Sequence, residues 1–445
     1  MPALAKSVSE LVQTASVRAC LDWFRKERAW INEQHLALCR VPAPTFFEQK
    51  RAEWMAERFR ALGWESKLDR AGNVIASLPG YRDRPAIAVT AHLDTVLAPK
   101  SPEDIKVAGD GRFLGPGVSD NGTGLSALLA LAAAWTAFPP MEDTLLTPVL
   151  IANVGEEGEG NLCGMRYLCR PATSSRFRAF LVLDGPNPDR ITCRALGSRR
   201  FEVNFTGPGG HSWSDYGTGN PVHALCRAVS YFSDQAMNGV PRSSFNFGVV
   251  EGGTSINAIP NEARTKVDLR SESPERMDQM AALLASAVEK ALDEENARAD
   301  TAGRGSAGRV SARLKEIGSR PGGKLPEGSA ILETLLAVDA HLGIRGSLDC
   351  SSTDANLPLS LGLPALSIGA GGQGGGAHTL APATLSSSPR WSTTPTSSRG
   401  RCWRSRRGPT SSSWLRMSVA LRRRMEKCLL LTCSSLARLR SFSTR

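Results

Sequence analysis

Three short apolar runs in this chain end on an imidazole or a carboxylate. PAIAVTAHLDTV reaches His92 and Asp94, TPVLIANVGEEGEG reaches Glu156 and Glu157, and FRAFLVLDGP reaches Asp184. Apolar runs of this length, bounded by Gly and Pro, read as buried strands. A polar group at the end of a buried strand is costly without a partner. GNVIASLPG is a fourth strand, and GLSALLALAAAWTAF is a buried helix. Strands alternating with helices, with polar residues at the strand ends, give an α/β sheet whose site lies beyond the carboxyl ends of the strands.

The rest of the chain fits around that sheet. Residues 3–40 and 46–63 read as helices, parted by Pro42 and Pro44. The character changes near Leu196. SRRFEVNFTGPGG alternates like a half-solvated strand, NPVHALCRAVSYF is a helix, SSFNFGVVEGG and ARTKVDLRSES are strands, MDQMAALLASAVEKAL is a helix and RVSARLKEIG a last strand. This β-α-β-β-α-β order describes a small open-faced sandwich inserted into the larger unit. AILETLLAVDAHLG and LPALSIGAGG return to the first style.

The net charge of +11 raises a nucleic-acid reading. It dissolves when the chain is divided, because residues 381–445 carry +13 and residues 1–380 carry −2. The longest apolar run, Leu125 to Phe138, is too short to span a bilayer. The N-terminus reads as an amphipathic helix, not a signal peptide. A cytoplasmic protein with reduced thiols, binding neither nucleic acid nor membrane, is expected.

Asp120 in GPGVSDNGTG and His378 in GGGAHT join the strand-end residues. Singly, each has an ordinary reading: a hydrogen-bonded histidine, a turn-initiating aspartate, a solvated acidic loop. Together, two imidazoles and three carboxylates suit two zinc-type ions, one carboxylate bridging them.

The ordered set resembles the M20 family of dinuclear zinc metallopeptidases. That family shows His-x-Asp, a bridging Asp before a helix, Glu-Glu, Asp or Glu, and a late His, and here these elements span residues 92–378. The resemblance implies a zinc-peptidase-like catalytic domain with a mixed central sheet and helices on both faces, plus an inserted lid and dimerisation domain. It divides the chain into residues 1–196 and 319–380 for the catalytic domain and 197–318 for the lid. It implies that His92, Asp120 and Asp184 hold one Zn2+ and that Asp120, Glu157 and His378 hold the other, with Co2+ or Mn2+ as substitutes. Asp94 would orient His92. Glu156 would act as general base and acid, its side chain pointing opposite to that of Glu157. His211 would stabilise the oxyanion, often across a dimer interface, and Asn257 and Arg270 would bind substrate. Asp184, where many deacylases of the family have Glu, resembles the tripeptidase and aminopeptidase branch. The expectation is a homodimeric, peptidase T-like hydrolase of small peptides. An N-acyl amino acid deacylase is the alternative within the family, and a catalytically impaired chain the alternative outside it.

That last alternative comes from residues 381–445, which hold 13 Arg, 15 Ser, one Lys, one Glu and no Asp, with no amphipathic period soon after His378. The family continues there into a helix that closes the catalytic sheet. This segment reads instead as a GC-rich gene translated out of frame.

Overall fold

Strand Ala86–His92 runs through the middle of a nine-stranded mixed sheet and is wholly buried. The structure, a computed structural model, describes residues 2–81, 84–139, 146–187, 189–235 and 240–371. His378 and the segment 381–445 lie outside the described residues.

The sheet runs in the order Glu65–Leu68, Val74–Ser77, Thr147–Asn153, Ala86–His92, Phe177–Leu183, Ala365–Ile368, Arg190–Ala195, Gly323–Lys324. Ser347–Ser351 pairs in parallel with Arg190–Ala195. The four strands from Thr147–Asn153 to Ala365–Ile368 are parallel. Parallel strands need both faces covered, which is why they read as continuous apolar runs. Their carboxyl ends leave His92, Asn153 and Leu183 at one edge. Helix Gly122–Ala137 packs against the sheet with twelve of its sixteen residues buried. Its other side meets the N-terminal helices.

Those helices depart from the expected single segment over 3–40. There are three: Pro2–Gln13, Ala15–Lys26 and Arg28–Cys39. Thr14 is extended, and its hydroxyl donates to the Leu11 carbonyl at 2.7 Å, a local bond that competes with helix continuation. A second break at Glu27 parts the second helix from the third, and Leu21 and Phe24 bury in the same core as Ile31 and Leu38. The second expected helix begins at Gln49, after a turn in which Phe46 takes a φ of 73°.

The inserted unit has the expected β-α-β-β-α-β order. Its sheet runs Ser243–Gly252, Glu262–Ser271, Gly197–Thr206, Ser311–Arg320, antiparallel throughout. Helices Pro221–Asp234 and Pro274–Thr301 pack on it. Strand Glu262–Ser271 alternates buried and accessible residues, as a sheet covered on one face must. Asn220 and Ser273 cap the two helices, each followed by proline at the first turn. Phe232 meets Phe245 and Phe247 edge-on at 4.9 and 5.7 Å. No helix among the described residues is long and apolar enough to cross a membrane.

Candidate active site

Three loops at the carboxyl edge of the large sheet are tied together before any ligand is considered. Asp94 is fully buried, and its carboxylate accepts from the backbone N–H of Glu156 at 3.0 Å, of Glu157 at 2.8 Å, and from the Thr45 hydroxyl at 3.0 Å. Asn121 caps helix Gly122–Ala137 and donates its side-chain amide to the Leu183 carbonyl at 2.8 Å. Asp120 and Asp184 are thereby held side by side. Gly155 turns the chain into the Glu156–Glu157 pair with a φ of 65°, and any Cβ there would collide with the Cys163 sulfur. The Glu48 carboxylate receives the Gly155 N–H at 3.1 Å.

His92, Asp120 and Asp184 offer ligand atoms within 4.8 Å of one another, and so do His92, Glu156 and Glu157. His92 Nε2 lies 3.0 Å from Asp120 Oδ1 and 3.9 Å from Asp184 Oδ1. Its Nδ1 lies 2.9 Å from the Asp94 carbonyl oxygen. An imidazole that donates Nδ1–H to a carbonyl turns the Nε2 lone pair toward the two carboxylates. Only a proton or a cation between them makes that arrangement favourable. Four ligands about 2.1 Å from a zinc ion stand roughly 3.4 Å apart, a spacing these atoms approach.

The electrostatics agree with that donor set. Burial would lower the His92 pKa, but hydrogen bonds to Asp120 and Asp94 hold it well above its ordinary value. Burial, then the neighbouring Glu156, pushes Glu157 up to about 9. Burial, then Asp120, holds Asp184 well above the carboxylate range. Burial opposes ionisation of Asp94 too, but His92 and the two backbone N–H groups keep it below its usual value. Several carboxyl groups with raised pKa values around one imidazole form a cluster that divalent cations would relieve.

Asp94 meets the second nitrogen of His92 through its carbonyl at 2.9 Å, with a carboxylate oxygen at 3.5 Å. The same carboxylate holds the Glu156–Glu157 backbone. One expectation is corrected by this geometry: Glu156 and Glu157 do not point apart, since both are buried and both reach the same cluster with His92.

Arg270 lines the same cleft of about 380 Å³ as Asp120, Glu156, Glu157 and Asp184, and its Nε pairs with Asp268 at 2.6 Å. His211 and Asn257 lie elsewhere. His211 belongs to a two-residue ladder with Ala258–Ile259, and the Ser212 N–H donates to the Asn257 carbonyl at 2.9 Å. Both are exposed, beside the exposed Trp213 and Ile256, and neither lines the cleft.

Arg320 and Asp354 also reach this region, and neither stands out in the sequence. Arg320 donates Nη1–H to Glu156 Oε1 at 2.8 Å while only 6% exposed. Asp354 is fully buried, accepts from Asn153 Nδ2 at 2.7 Å, and is pushed up to about 7 by burial and then Glu156. An arginine at a strand end and an aspartate in a Ser-Thr-rich loop are ordinary surface signals. Only the proline after Arg320, which ends the strand there, hinted at the turn into the cleft.

The peptidase dimerisation domain of the M20 family matches residues 195–296, and peptidase family M28 matches residues 73–206. An uncharacterised protein of Bacillus subtilis, YqjE, is 25% identical over 76% of this chain and 89% of its own length. Succinyl-diaminopimelate desuccinylase of Granulibacter bethesdensis is 26% identical over 57% of this chain and 69% of its own. Among solved structures, aminopeptidase PepT of Bacillus cereus is similar with a TM-score of 0.63 at 20% identity, over 91% of this chain and 97% of that one.

Proposed function

We propose that this chain, a hydrolase belonging to the M20 family of peptidases, cleaves an amide bond in small peptides through a water activated at a two-metal centre, with Glu156 as general base. The observation that carries this reading is the His92 Nε2 atom, 3.0 Å from Asp120 and 3.9 Å from Asp184 beside the buried Glu156–Glu157 pair.

In this reading His92, Asp120 and Asp184 hold one divalent ion, and Asp120, Glu157 and His378 the other. Bound there, zinc-type ions would lower the pKa of a water and polarise the scissile carbonyl. Glu156 takes the proton from the water and returns it to the leaving amine. Arg270, in the cleft wall, suits a substrate carboxylate, because its planar fork matches two oxygens. His211 on its short ladder and Asn257 beside it stand exposed outside the cleft, which supports their service to a second subunit. A homodimer through the unit at residues 197–318 is therefore part of the reading, and the exposed Trp213 and Ile256 beside His211 fit a covered surface better than a solvated one.

Removal of an N-acyl group is the second reading. Arg190, Arg200, Arg270 and Arg320 all line the cleft, and a desuccinylase is among the relatives. An acidic acyl group suits that wall as well as a peptide carboxylate does. Metal analysis together with turnover of di- and tripeptides and of N-acetyl and N-succinyl amino acids tests both. Stoichiometric divalent metal with peptide cleavage is expected. A purified chain that binds no divalent metal overturns the proposal.

A further inference from the structure

Arg320 closes the strand Ser311–Arg320 of the small sheet, opposite Ser198. Three residues on, the chain has entered the large sheet as Gly323–Lys324. At this seam the side chain turns into the cleft. Its Nη1 donates to Glu156 Oε1 at 2.8 Å and to Ser352 Oγ at 3.1 Å, and its Nη2 donates to the Glu156 carbonyl. One guanidinium thus grips a single residue by carboxylate and backbone at once. A planar fork of donors does this, and an ammonium does not.

The surroundings bind the guanidinium to that task. Arg320 is buried, so its charge needs a fixed partner, and Glu156 is the carboxylate it contacts. Arg320 Nε, Asp354 Oδ1 and Asn153 Oδ1 are buried with no hydrogen-bond partner among the described residues. Arg270, by contrast, is partly exposed, with its Nε on Asp268. Arg270 and Arg320 therefore differ in kind: Arg270 faces solvent and arriving substrate, and Arg320 faces Glu156.

We propose that Arg320 is a positioning residue for Glu156, aligning the carboxylate of the base from the small sheet so that the base is set only when the two sheets are seated together. The proposal rests on the reading of Glu156 as the base. A base displaced by about 1 Å loses roughly 10²-fold in rate, because the proton it must take is no longer in line.

The test uses the metal-loaded full chain with trialanine, or with an N-succinyl amino acid should that be the substrate cleaved. Arg320→Gln should lower kcat roughly 10²-fold and Arg320→Lys roughly tenfold, with KM within about twofold and metal content unchanged. Should Arg320→Gln fail to fold, Arg320→Lys decides alone, because it keeps the buried charge and loses the fork. An unchanged kcat in Arg320→Lys overturns the proposal. A rise in KM with kcat intact overturns it too, and makes Arg320 a substrate anchor. Glu156→Gln, measured in parallel, separates the two levels. If it retains turnover, the base reading falls and this proposal with it; if it is inactive while Arg320→Lys is normal, only this proposal falls.

Discussion

Asn121 donates its side-chain amide to the carbonyl of Leu183 at 2.8 Å, and its side-chain oxygen accepts the Gly124 N–H at 3.1 Å. One buried amide thus caps the helix that follows Asp120 and pins that turn to the strand that ends before Asp184. The distance between two proposed ligands is set by a residue that binds no metal. Asn121→Ala leaves the Leu183 carbonyl buried and unpaired and should cost roughly 1–3 kcal/mol of stability. It should also weaken metal binding about 10–100-fold, as loss of supporting contacts behind ligands does. Thermal unfolding and metal titration of the same preparation check both, and a variant with unchanged metal affinity removes Asn121 from the site.

Glu156 and Glu157 share one buried turn and should part company on substitution. Glu156→Gln should abolish turnover and leave metal content intact, since an amide keeps the shape and cannot shuttle a proton. Glu157→Gln should lose metal. Atomic absorption beside a turnover assay distinguishes them, and the opposite pattern would exchange their roles.

His211 stands apart from the cleft, so its effect on catalysis should depend on assembly. His211→Ala should lower kcat about 10²–10³-fold, the usual effect of removing one oxyanion donor. Mixing that chain with the Glu156→Gln chain should restore part of the activity, because one cleft in the mixed dimer then has both groups. No recovery after subunit exchange would argue that His211 acts within its own chain.

Chelation should expose the strain of the acidic cluster. In the metal-free protein the folded state holds protons that the unfolded chain releases: on Glu157 up to about 9, on Asp354 up to about 7, and on His92 and Asp184 well above their ordinary values. Each raised pKa contributes stability below its unfolded value that is lost as pH rises through the folded value. The melting temperature of the EDTA-treated protein should therefore fall between about pH 5 and pH 9. Zinc should flatten that slope by replacing the protons. A metal-free profile that rises over this range would contradict the account.

The polar ends of the buried strands could be located from the order of residues alone. His92, Glu156–Glu157 and Asp184 stood out because each interrupts an apolar run, and burial makes such an interruption costly without a shared partner. The β-α-β-β-α-β order of the small unit was legible for a related reason: its periods switch between two and 3.6 residues, and that switch is local. What a side chain meets after two distant segments converge is not local. Asp94 stands two residues beyond His92, yet the fold gives its carboxylate to the backbone of Glu156 and Glu157. The N-terminal segment breaks at Thr14 and again at Glu27, and its apolar residues bury in a core that the rest of the chain builds. Arg320 had the sequence signature of a surface charge. The seam between the two sheets turned it inward onto Glu156, 164 positions away, because there a buried carboxylate and a buried guanidinium each lower the cost of the other.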